Sequence, residues 1–354
     1  MSWFVIGYYT LLLGGSCLAA YFNKRSAFLL LFSLTLVSFV LGIVGGTGAL
    51  RAIAICAAVL ALAAMVSYAF REFLIALASE EMAKELRTAP LTAAFGMFII
   101  FTYAVMGIFA PLIAPHGEAE VIASAFAPAD SNMLLGADQL GRDMFSRIVY
   151  GTRNSVGLAL SATLAAFFFG ALAGLLAATK GGWFDQFMGR LADVIMSIPS
   201  LIFALLMLSI FGPQIIVIIV AVAIIYAPRV FRLTRAVAGN VVVMDYIEAA
   251  KLRGEGTWYL IRREILPNST APLVAEFGLE FCFVFLLVAG LSFLGLGIQP
   301  PTADWGSMVR ENATLISFGD ITPLIPAAAI ALLTVSVNFV VDWMLFRSSG
   351  LKER

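Results

Sequence analysis

Nine stretches of this 354-residue chain are apolar for the length a bilayer demands: 3–22, 27–48, 50–70, 92–114, 153–178, 196–212, 214–232, 271–296 and 322–346. A spanning helix needs about 20 consecutive, mostly apolar residues. Within hydrocarbon every backbone N–H and C=O must be satisfied inside its own segment, so runs of this kind fold as helices. Composition agrees: 61% of the residues are hydrophobic and 12% charged, where a soluble chain would carry about a quarter charged. The expected class is an all-α polytopic membrane protein. Lysines and arginines balance aspartates and glutamates at 22 each, which argues against nucleic acid as a partner.

Basic residues orient the spans, because loops rich in Lys and Arg stay on the cytoplasmic side. The connection between the seventh and eighth runs holds Arg229, Arg232, Arg235, Lys251, Arg253, Arg262 and Arg263. That side is expected to be cytoplasmic, along with Lys180, Arg190, Lys84, Arg87 and the tail 347–354. Residue 1 then lies outside. The start, Met1-Ser2-Trp3-Phe4, has no basic region, so it reads as a retained span rather than a signal peptide. The chain divides near residues 79–90, with three runs before and six after. Cys17, Cys56 and Cys282 all fall in apolar runs without metal spacing and read as packing residues. His116 stands alone in a loop, so neither a metal site nor a catalytic dyad is expected.

The cytoplasmic segment between runs seven and eight contains one short helix. Asp245 followed by Glu248 reads as a capping box. Ala249, Ala250, Lys251 and Leu252 are strong helix formers. Gly254 can close the helix in a left-handed conformation. The expected product is a knob about 12 Å long, with low alanines suited to a cleft in another protein. Leu266-Pro267 and Pro272 then lead into the next span.

Other polar residues have two readings each. Asp185, Arg190 and Asp193 share one helix region, as an interfacial salt bridge or a relay of motion. Glu276 and Glu280, one turn apart inside an apolar run, either face a bundle interior or water-filled cavity, since intramembrane carboxylates are costly, or Glu276 snorkels to the cytoplasmic interface and Glu280 pairs with a neighbouring subunit. Asn338 and Asp342 pair helices or gate. Segment 136–153 reads as a charged outer stretch lying on the membrane or against a partner. Trp3, Trp183, Trp305 and Trp343 fall near span ends, as interfacial anchors do.

Residues 90–346 resemble the C-type permease subunit of dipeptide/oligopeptide ABC importers. The resemblance is carried by Glu248-Ala249-Ala250 with Gly254 and Leu266-Pro267, which is similar to that family's EAA loop. It extends to Leu135-Gly136-Ala137-Asp138-Gln139-Leu140-Gly141-Arg142-Asp143, Ser146-Arg147 and Tyr150-Gly151-Thr152-Arg153. Further matches are Gly181-Gly182-Trp183-Phe184-Asp185, Ile198-Pro199-Ser200, Leu291-Ser292-Phe293-Leu294-Gly295-Leu296-Gly297 and Asp304-Trp305-Gly306. Departures are Glu264, Val288, the tail Arg347-Ser348-Ser349-Gly350 and the three early runs.

The resemblance implies a six-helix type I ABC importer permease core at 92–346, preceded by about three extra transmembrane helices at 1–79 and a cytoplasmic linker at 80–91. It implies a multi-pass subunit of the bacterial inner membrane that moves peptides or related small solutes. The implied partners are a sister permease (heterodimer), two ABC ATPase subunits and a periplasmic solute-binding protein. No cofactor is bound directly, and ATP with Mg is used by the ATPase subunits. Asp245, Glu248, Ala249, Ala250, Lys251, Gly254, Leu266 and Pro267 would couple to the ATPase. Glu280, Glu276 and Asn338 are the pore candidates. Asp138, Arg142, Asp143, Asp304 and Trp305 are the candidates for outer-face contact.

The chain has no phosphate-binding G-x-x-x-x-G-K-[ST] loop, so it is not expected to be an enzyme. The alternative is an ion-driven secondary transporter, disfavoured because no internal repeat is visible. An assembly or signalling role would rest on residues 1–79.

Overall fold

The computed structural model describes residues 12, 14–15, 48–318 and 322–348, with the side chains of 48–54, 56 and 348 outside that description. The expected spans at 3–22 and 27–48, with Cys17 and Trp3, therefore lie outside the described residues, apart from a few positions. Two compact units divide the chain, Met1–Phe95 and Gly96–Arg354. In the first, α1 (Gly48–Leu77) is followed by α2 (Glu80–Arg87). Acidic Glu80 and Glu81 open α2 and Arg87 ends it, matching the helix dipole. An Arg71 N–H donates to Ala89 O at 3.2 Å, fixing the turn after α2. The segment expected as a linker is thus largely helical.

The division falls within α3 (Leu91–Ile108). Beyond it come α4 (Met144–Gly151), a π-helical turn over Thr152–Val156 and α5 (Gly157–Lys180). Then follow α6 (Gly182–Met196), α7 (Ser200–Phe211), α8 (Ile215–Val242) and α9 (Asp245–Leu252). A helical turn at Thr257–Tyr259 and a π-helical stretch at Leu260–Ile265 lead into α10 (Leu266–Phe293). Last are α11 (Trp305–Asn312) and α12 (Leu324–Ser348).

Among the described residues, six helices are long and apolar enough to cross a membrane: Ala57–Leu77, Leu91–Ile108, Met144–Lys180, Ile215–Val242, Thr257–Phe293 and Leu324–Arg347. The expected span at 196–212 is different. α6 and α7 meet at an 84° bend, since Pro199 removes an amide donor and restricts Ile198. The 12 residues of α7 rise only about 18 Å, well short of the hydrocarbon core. Two boundaries also move. Arg229, Arg232 and Arg235, expected in a connection, lie on α8. The span expected to begin at 271 begins at Thr257 and runs 37 residues, roughly 55 Å at helical rise. The π-helical stretch absorbs the register change ahead of Pro267.

The core of the second unit is set by α5 against α8. Ala159, Ala162, Thr163, Ala166, Gly170, Gly174 and Ala177 form a buried small-residue stripe on α5. A methyl at Gly170 would come within 2.5 Å of Ala227 O, and one at Gly174 within 2.8 Å of Phe231 O. Close backbone approach is how apolar helices associate when burial from water supplies no driving force between them. At the far side, Gly278 lets Val341 of α12 sit against α10, where a Cβ would meet it at 2.3 Å.

Candidate functional site

The knob expected after α8 forms, with its start built differently from expectation and its end closed as expected. α9 spans Asp245–Leu252, capped by extended Met244 (φ −77°, ψ 145°) with no side-chain cap. Asp245 is the first helical residue, so the capping box with Glu248 does not form. Both acids stabilise the helix start through its dipole instead, and Lys251 the end. Gly254 closes the helix at φ +85°. Gly254 N–H donates to Lys251 O at 2.9 Å and Glu255 N–H to Ala250 O at 3.2 Å. That bond pair is the Schellman arrangement, which needs a residue that tolerates positive φ.

The two alanines part company. Ile247 and Ala250 are fully buried, in a cluster with Leu175 of α5, Ala238 and Val241 of α8, and Leu260, Ile261 and Ile265 of the π-helical stretch. Ala250 therefore seats the knob on its own chain rather than offering a surface to a partner. Glu248, Ala249, Lys251 and Arg253 are exposed, and Leu252 is 84% exposed. Val243, Met244, Tyr246 and Trp258 continue this apolar-and-charged face. Leu266 and Pro267 are exposed in the first turn of α10.

The residues expected to contact a partner on the outer face are buried, which corrects that expectation. Asp138, Arg142, Asp143, Asp304 and Trp305 are each no more than 2% exposed. Arg142 Nε meets Asp138 Oδ2 at 2.7 Å, and its Nη2 meets Glu311 Oε2 at 3.0 Å. Arg147, fully buried, reaches the same two carboxylates at 3.1 and 3.3 Å. Burial pushes the Glu311 carboxyl above its ordinary value, with Arg142 pulling the other way.

Asp143 caps α4, accepting from Ser146 N–H at 3.0 Å and the Ser146 hydroxyl at 2.6 Å. Asp304 caps α11 and accepts from the Ser155 hydroxyl at 2.7 Å. Trp305 Nε1–H donates to Ile148 O at 3.0 Å, with its ring against Tyr103 and Phe285. Trp305 is therefore a core residue and no interfacial anchor. Glu118 accepts from Asn154 and from Ala303 N–H. Together these bonds lock segment 115–156 to segment 303–311. Sequence reasoning missed Glu118, Glu311 and Arg147 as members; Glu118, Asp138 and Arg142 lie in loops, turns and isolated bridges, where no helical or strand period signals a partner.

The pore candidates also move. Glu280 is 2% exposed, enclosed by its own chain, while Glu276 is half-buried. The charge of Arg229 on α8 acts on both carboxylates, and its guanidinium stacks over the rings of Tyr226 and Phe283, 5.4 Å from each. Asn338 Nδ2–H donates to Thr334 O of its own helix at 3.0 Å, and Asp342 is exposed. On the side of the knob, Asp185 pairs with Arg235 and Asp193 with Arg232, joining α6 to α8. The cation expected for that role, Arg190, is not used.

Residues 166–348 match the family described as binding-protein-dependent transport system inner membrane component. The dipeptide transport system permease protein DppC of Alkalihalophilus pseudofirmus is 35% identical over 74% of this chain and 86% of its own. The di/tripeptide transport system permease protein DppC of Pseudomonas aeruginosa is 34% identical over 70% and 84%. The glutathione transport system permease protein GsiD of Pectobacterium atrosepticum is 36% identical over 59% and 69%. With half the chain matched to the family, and peptide permeases matched over more than two thirds of both chains, this multi-pass protein belongs to the binding-protein-dependent inner-membrane components of ABC importers.

Proposed function

We propose that the chain forms one half of an ATP-driven import pore for peptides or related small solutes, and that α9 is the seat of an ABC ATPase subunit. The observation that carries this is the two-sided construction of α9. Ile247 and Ala250 bind the knob to the ends of α5, α8 and the helix leading into α10, while Glu248, Ala249, Lys251 and Leu252 stand free. A partner that displaces the free face moves a packed unit, and the continuous helix from Thr257 to Phe293 carries that displacement towards the opposite end. Packed interiors pass on displacement because they have no slack.

ATP and Mg belong to the partner ATPase subunits in this reading, with a sister permease completing the pore and a periplasmic binding protein delivering solute. The substrate class rests on the names of the relatives, which are dipeptide, di/tripeptide and glutathione permeases. Hydrolysis in the partner drives alternation between outward- and inward-open pores, and the knob is the mechanical contact. Among the acids of α10, Glu276 is the one with a free face.

The test replaces Leu252→Asp together with Glu248→Lys, both exposed positions that leave the cluster beneath α9 intact. Tagged chain is purified with its co-expressed subunits, and uptake of labelled dialanine is followed in cells. The expected result is loss of the ATPase subunit and of uptake, with an unchanged unfolding temperature for the permease. Retention of both would refute the reading. Uptake that survives ATP depletion and collapses with a protonophore would instead point to a secondary transporter.

A further inference from the structure

Beside the knob, α5, α6 and α8 enclose an open cavity of about 620 Å³, within the range of small-molecule sites. Its polar wall comes from two facing helical stripes. Asp185, Gly189 and Asp193 repeat every four residues on α6, and Arg232, Arg235 and Gly239 follow the same face of α8. The lining carries two aspartates and two arginines and is electrically neutral. At rest the charges pair across the cavity. Arg232, Arg235 and Asp193 are 52%, 47% and 61% exposed, with Asp185 at 18%, and pairs this wet hold each other weakly.

A lone anion or cation entering here would have to leave one charge of the wall uncompensated. A molecule carrying both signs exchanges pair for pair, with its anion on the guanidiniums and its ammonium on the carboxylates. We propose that this cavity is a binding site for a small zwitterion, held by Arg232 and Arg235 at one end and Asp185 and Asp193 at the other. Two sources have that chemistry: a free short peptide and an ethanolamine phospholipid headgroup. The first deepens the peptide-permease reading and rests on it. Because Gly239 lies six residues before Asp245, an occupant braces the helix end from which the knob hangs, so product on this side resists its displacement.

Gly189 and Gly239 supply the test. Both line the cavity and a Cβ at either would meet nothing within 4 Å, so a side chain can start from each position, and both lie within helices that a non-glycine residue favours. The full-length chain is reconstituted in nanodiscs of phosphatidylglycerol, without ATPase subunits or nucleotide. Dialanine and glycerophosphoethanolamine are titrated, with acetate and methylammonium as single-charge controls.

Saturable binding of dialanine, weakened roughly tenfold or more by Gly189→Leu and Gly239→Leu, with neither single charge competing, establishes a peptide site. Saturation by glycerophosphoethanolamine alone, with the same loss in the filled variants, assigns the site to lipid headgroups. The proposal is overturned if neither zwitterion saturates, if the filled variants bind as well as the unaltered chain, or if acetate or methylammonium competes equally. Unfolding temperatures of the filled variants confirm that they fold. Failure here leaves transport itself untouched, since the knob variants test that reading with this cavity unaltered.

Discussion

Replacing Arg147 with Met tests whether the outer lock holds the second unit together. Its guanidinium is fully buried and serves Asp138 at 3.1 Å and Glu311 at 3.3 Å. Four charges meet there, two acids and two arginines, and their sum is zero. Met fills much of the volume but leaves two buried carboxylates with Arg142 alone. Breaking a buried ion pair from one side costs about 3–5 kcal/mol, because the surviving partner keeps its desolvation penalty. At roughly 2 °C per kcal/mol for a unit of this size, the unfolding temperature should fall by about 6–10 °C.

A pH signature distinguishes the charge from lost packing. Glu311 already has a raised pKa through burial, and removing a neighbouring cation raises it further. A carboxyl whose native pKa exceeds its unfolded value contributes stability in full below the unfolded pKa. That contribution is lost as pH rises through the native value. The deficit of Arg147→Met relative to the unaltered chain should therefore shrink as pH falls from 7 towards the carboxylate range. Scanning fluorimetry of both chains in the same detergent, across pH, measures it. A deficit under about 1 kcal/mol, or one indifferent to pH, would refute the argument that an excess buried charge is the cause.

Other expectations concern close approaches and turns. Gly254→Ala should cost about 1 kcal/mol, because Ala must adopt φ +85° against its Cβ; Gly254→Asn should cost less, and the two unfolding midpoints compare directly. Gly174→Leu drives a side chain into Phe231 O and Thr234 and should destabilise by about 1–3 kcal/mol through overpacking, read as a lower unfolding temperature. Ile247→Asp removes the knob's seat among Leu175, Val241 and Ile261 and should abolish ATPase-subunit co-purification while Ala249→Ser spares it.

The sequence was informative where one dimension suffices. A run of apolar residues has to become a helix in lipid, so six of the expected spans from residue 50 onward appear with shifted ends. Gly254 announced its own conformation, because a helix stop at positive φ selects glycine. The motifs sufficed for the family and the class of transporter, whereas the 84° break at Pro199 falls inside a run that hydropathy reads as one span.

Azimuth and long-range partnership were decided by the tertiary fold alone. Hydropathy gives the depth of Glu280 in a span but not that its own chain encloses it, nor that Ala250 turns inward while Ala249 turns out. Arg142 and Trp305 read as surface residues because partners of each are distant in the chain: Glu311 lies 169 residues from Arg142, and Ile148 157 from Trp305. A charge is normally left in water unless something meets it in the interior. What meets these charges is set by which helix ends the close packing of α5, α8 and α10 brings together, and no local pattern encodes that.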